Sequence, residues 1–95
     1  MSVTLAAAVQ MTSGADKRAN LDTAERLVRR AHALGARFIG LPENFAWMGP
    51  EPERDGNAEP LDGPTLTRMS KLAAELGVTL LAGSVLETGA PGNRL

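Results

Sequence analysis

Apolar and polar positions divide the chain into five patterned runs. Val3 to Met11 is nearly all apolar, does not strictly alternate, and has β-branched residues at Val3, Thr4 and Val9. Such a run predicts a strand buried on both faces, as in a parallel sheet. A buried helix would need more length, and Thr12-Ser13-Gly14 ends the run too soon. Leu21, Ala24, Leu27, Val28, Ala31 and Leu34 then recur at helical spacing and make one apolar face. Asp16 or Asn20 is placed to cap that helix, and Gly35 stands where a left-handed C-cap residue belongs.

Phe38 to Leu41 is a short apolar run that predicts a second buried strand. Pro42 stops it, because proline has no N–H to give to a ladder. A second helix begins at Gly63-Pro64, with Pro64 as its first residue. Its apolar face is Leu66, Met69, Leu72, Ala73 and Leu76, and Gly77 ends it. Val78 to Leu86 predicts a third strand, and Glu87 to Arg94 is turn-rich. Leu34-Gly35 and Leu76-Gly77 each mark a helix handing over to a strand. The order β-α-β-α-β makes an α/β chain with parallel strands and right-handed crossovers.

One interval breaks the pattern. From Asn44 to Gly63 no periodicity holds, and Gly49, Pro50, Pro52, Gly56, Pro60 and Gly63 are scattered among charges. A structureless stretch of about 20 residues in a compact domain is usually functional, such as a lid or pocket wall.

Composition narrows the classes. At 95 residues the chain is one domain's worth at most, and 43% apolar content is globular. Aromatics are only 3%, so the core is built from Leu, Ala, Val and Met. Ten basic and 11 acidic residues are interspersed for a net charge of −1, which argues against nucleic acid and membrane surfaces as partners. The absence of cysteine removes disulfides, a thiolate nucleophile and cysteine-type zinc sites. The N-terminus lacks a positive leader region, and no run approaches the ~20 apolar residues of a membrane helix. A cytoplasmic protein is expected.

Candidate chemistry centres on Glu43, just past the end of the second strand. Open α/β sheets bind ligands outside the carboxyl ends of their strands. A wall of Phe45 and Trp47 beside this carboxylate would desolvate it and raise its pKa toward the range of a general base. Phe45, Trp47 and Met48 either line a pocket or cover the end of the core. A solvated surface glutamate is the plain alternative. His32, the single histidine, sits beside the apolar face of the first helix as a boundary residue. Ser84 lies in Ala82-Gly83-Ser84-Val85, which is not a Gly-x-Ser-x-Gly elbow. Asp55 to Pro60 lacks the glycine and the final glutamate of a calcium loop, and no phosphate-binding glycine loop follows a strand.

Leu41-Pro42-Glu43-Asn44-Phe45 resembles the first catalytic motif of the nitrilase superfamily, the carbon–nitrogen hydrolases. Ala8-Val9-Gln10-Met11 is similar to the family's opening strand, and Asn20-Leu21 to the start of its first helix. Gly63-Pro64-Thr65, Leu76-Gly77-Val78, Ala82-Gly83-Ser84-Val85 and Gly92-Asn93-Arg94-Leu95 follow in the family's order. The wording Glu43 to Gly49 is nearest to the branch acting on ω-amides and deaminated glutathione. The resemblance implies a four-layer αββα sandwich, incomplete here, with residues 1–95 as the N-terminal part of one domain. It implies hydrolysis of a small amide or nitrile by a Glu-Lys-Cys triad without a cofactor, in a homo-oligomeric full-length enzyme. Glu43 takes the place of the general base. Lys17 and Lys71 match no family lysine and cysteine is missing, so this chain alone is expected to be inactive. The alternatives are a non-catalytic α/β binding module and a half completed by a partner.

Overall fold

Among the described residues of the computed structural model, three strands and two helices form in the expected alternation. They are β1 (Leu5–Ala8), α1 (Lys17–Ala33), β2 (Ala36–Gly40), α2 (Pro64–Leu76) and β3 (Thr79–Leu81). The structure describes residues 4–53, 55–60 and 62–82. The far half of the expected third strand, Ser84 and the turn-rich Glu87 to Arg94 lie outside the described residues.

Local chemistry accounts for the boundaries. Asp16 caps α1, its Oδ1 accepting from the Ala19 N–H at 3.1 Å. Pro64 opens α2 where a missing N–H costs nothing. After each helix a glycine turns the chain at positive φ, Gly35 at 102° and Gly77 at 66°. There the Val78 N–H also reaches back to the Ala73 carbonyl at 3.1 Å.

The sheet runs β1-β2-β3 with both pairings parallel. Ala7, Ile39 and Leu80 share one row; Ala6, Phe38 and Thr79 share the next. Ile39 is fully buried beneath the helices, with Ala7 and Leu80 packed at the margin of the core. α1 packs on β2, α2 on β3, and the helices touch each other. Both therefore cover the same face, as same-handed crossovers between strands in sequential order require. Leu21, Ala24, Val28 and Ala31 of α1 and Met69 and Leu72 of α2 complete this core.

The expectation of burial on both faces is corrected for β1: Leu5, Ala6 and Ala8 are exposed. Phe38 is 46% and Leu81 61% exposed, because no described residue covers their side of the sheet. Leu34 also leaves its predicted place on the helical face. It is the C-cap of α1 and 72% exposed. No helix among the described residues is long and apolar enough to cross a membrane.

Candidate functional site at the carboxyl edge of the sheet

Parallel strands bring their carboxyl ends to one edge. The loops after β1 and β2 leave that edge side by side, and Glu43 lies on the second. Its turn is short. The Leu41 N–H is still held by the Leu81 carbonyl at 2.8 Å, and Glu43-Asn44 then reverses the chain, Asn44 with φ of 52°. Asn tolerates this left-handed conformation better than most residues, because its short polar side chain bonds locally. Glu43 itself is exposed.

Phe45 is the other end of the turn. Its ring is fully buried, in contact with the core beneath the helices. Trp47 is 6% exposed, and its indole N–H donates to the Ala15 carbonyl at 3.1 Å. Phe45 thus packs in the core, and Trp47 is tied to the loop after β1. Of the expected cluster only Met48 is exposed.

The two carboxyl-edge loops are laced together. Asn20, in the first turn of α1, is buried and uses its whole carboxamide. Its Nδ2 donates to the Ala46 and Gly14 carbonyls, each at 2.8 Å, and its Oδ1 accepts from the Gly14 N–H at 3.1 Å. The Ser13 hydroxyl donates to the Phe45 carbonyl at 3.0 Å. The Met48 N–H donates to the Gly14 carbonyl at 2.9 Å. The backbones run so close that a Cβ on Gly49 would lie 2.8 Å from that of Ala15. In the sequence Asn20 stands out as a cap candidate and as part of the helix-start wording Asn20-Leu21, and the capping is done by Asp16. The legible signal was its polarity on the inward face shared with Ala24, Val28 and Ala31.

Beyond this clamp, residues 44–63 are not structureless. Two 3-10 turns, Glu51–Glu53 and Asp55–Asn57, lead to a second anchor. The Lys17 ammonium donates to Glu59 Oε2 and to the Asn57 carbonyl, both at 2.7 Å. Glu59 Oε1 accepts the Thr65 N–H at 2.8 Å, and the Thr65 hydroxyl donates to Oε2. The carboxylate therefore caps α2 from outside, since Gly63 has no side chain to do so. Burial pushes the Glu59 carboxyl up, but the hydrogen bonds from Lys17 and Thr65 outweigh it and hold it below the usual range. His32 is half-buried on α1, away from this edge.

A family description, carbon–nitrogen hydrolase, matches residues 5–94. A deaminated glutathione amidase of Synechocystis sp. is 43% identical over 79 residues, covering 83% of this chain and 29% of that protein. The deaminated glutathione amidase of Bos taurus is 40% identical over 86 residues, covering 90% of this chain and 26% of that protein. A hydrolase of Mycobacterium tuberculosis is 35% identical over 83 residues, covering 87% and 29%. The chain thus spans less than a third of the curated relatives it matches. The amidase names agree with the branch that the wording from Glu43 to Gly49 resembles, and the parallel sheet under two helices fits part of the nitrilase-like fold. With nearly its whole length matched by that description, the chain belongs to the carbon–nitrogen hydrolases.

Proposed function

We propose that Glu43 is the general base of an amide hydrolase, and that residues 1–95 are the base-bearing N-terminal part of its single domain. The observation that carries this reading is the placement of Glu43. It stands two residues beyond the last ladder bond of the central strand, at the edge where α/β folds bind ligands, in a chain of this family. The names of the relatives point to deaminated glutathione as the substrate.

The chemistry assigns the carboxylate two proton relays, each a removal and a return. It first takes the proton of a cysteine thiol as the sulfur attacks the amide carbon, then gives that proton to the departing ammonia. A thioester remains. The carboxylate next takes a proton from water, whose oxygen attacks the thioester, and returns it to the leaving sulfur. A lysine ammonium stabilises the tetrahedral oxyanion at both stages. The 95 residues hold no cysteine, Lys17 is committed to Glu59 and Lys71 stands exposed on α2, so in this reading the nucleophile and this lysine come from elsewhere in the enzyme. The exposed row bearing Phe38 and the end of β3 at Leu81 are the face on which the second sheet of a four-layer sandwich packs in this reading.

The test is Glu43→Gln in the complete enzyme, assayed for ammonia release from deaminated glutathione. Turnover falls at least ~100-fold, the usual scale for a lost general base, with the thermal midpoint unchanged. Normal turnover by the folded variant would overturn the assignment.

A further inference from the structure

We infer that Asn20 is a positioning residue for Glu43, an inference that rests on the proposed role of Glu43 as base. The carboxamide reaches the chain three residues past Glu43, and it does so from a buried place on a regular helix. Both its hydrogens are spent, on Ala46 and on Gly14, and its oxygen closes a ring with the Gly14 N–H. No other side chain of this size offers two donors and an acceptor in one plane. A carboxylate would turn an oxygen toward two carbonyl oxygens, and an apolar residue would leave the buried Ala46 carbonyl without this donor.

What Asn20 holds is the downstream end of the turn that displays Glu43. The upstream end is fixed to β3, where the Leu41 N–H donates to the Leu81 carbonyl. Between these two points stand only Pro42, Glu43, Asn44 and the buried Phe45. With both ends tied, the backbone that carries the exposed carboxylate keeps one place relative to the sheet. Cutting the Asn20 tie frees the downstream end by the sort of shift, near 1 Å, that lowers a rate about 100-fold without touching the chemistry.

The experiment is a double-mutant cycle in the complete enzyme, using the amide assay described for Glu43. Asn20→Ala lowers kcat about 10- to 100-fold with KM within about twofold, and it causes no further loss when Glu43 is already Gln. The inference is overturned if Asn20→Ala lowers the thermal midpoint while kcat stays within about twofold. It is overturned equally if the same factor is lost in both backgrounds, because the residue then acts on something other than Glu43. Should Asn20→Ala not fold, Ser13→Ala carries the cycle, since it removes the neighbouring tie to the Phe45 carbonyl alone. Failure of the base assignment shows separately, as normal turnover by Glu43→Gln on its own.

Discussion

Replacing Glu59 by Gln keeps the shape of the side chain and removes its charge. The carboxylate joins three elements: the start of α1 through Lys17, the second 3-10 turn through the Lys17 bond to Asn57, and the start of α2 through Thr65. The side chains of Glu59 and Lys17 are 12% and 23% exposed, so their contact is only partly screened by water. A hydrogen bond between charged partners in such a setting is worth about 2 kcal/mol, and Glu59→Gln loses most of it. Glu59→Ala costs roughly twice as much, because it also strips the acceptor from the N–H and hydroxyl of the buried Thr65. The carboxyl is held below the ordinary value of 4.5, so its contribution is fully present above that value and is lost as pH falls through the folded value. Lysine stays charged throughout that window and glutamine does not titrate. Urea unfolding followed by circular dichroism should therefore show the gap between wild type and Glu59→Gln at pH 7, shrinking below about pH 4.5. A gap that is absent at neutral pH, or that persists undiminished into acid, would refute the pairing as the source of stability.

Two further outcomes follow from the packing. Phe45→Ala, which empties a fully buried site, should lose about 3–5 kcal/mol in urea unfolding, whereas Phe45→Leu should keep KM for the amide within about twofold; a large rise in KM for Phe45→Leu would put the ring against substrate instead. Glu25 accepts from Arg29 at 3.0 Å and from Arg68 at 3.2 Å, and these bonds, the Arg29 one first, hold its carboxyl below the usual range. Glu25→Gln should lower the thermal midpoint slightly in dilute buffer and not at all near 1 M salt, where screening acts within about 3 Å; an unchanged loss at high salt would mean that packing rather than charge is at stake.

The frame of this chain was legible because its cues are local. The spacing of Leu21, Ala24, Val28 and Ala31, the proline at the head of α2 and the glycines behind both helices each act within a few residues. The place of Glu43 followed from Pro42 by the same local logic. What failed to show was whatever depends on partners far along the chain. Asn20 meets Ala46 across 26 positions and Lys17 meets Glu59 across 42, and neither pair has a signature in spacing. Burial failed for a related reason. An unalternating strand such as β1 is suited to cover on both sides, yet which side is covered depends on where the crossovers go. In sequence alone the aromatic residues after Glu43 fit a pocket wall as well as a core cover. That Phe45 is directed inward depends on the three-dimensional path of the turn, which spacing does not encode.

The irregular stretch between the two anchors has a consequence for divergence among relatives. It is pinned at Met48 on Gly14 and at Asn57 on Lys17, so its two ends keep their positions whatever lies between them. Closing a longer loop between fixed ends costs only about 0.6 kcal/mol for each doubling of its length. Insertions there are absorbed locally. The turn bearing Glu43 lies before the first pin and the start of α2 after the second, so neither is displaced. The stretch is thus free to change length and wording while the carboxylate and the helix beside it hold still.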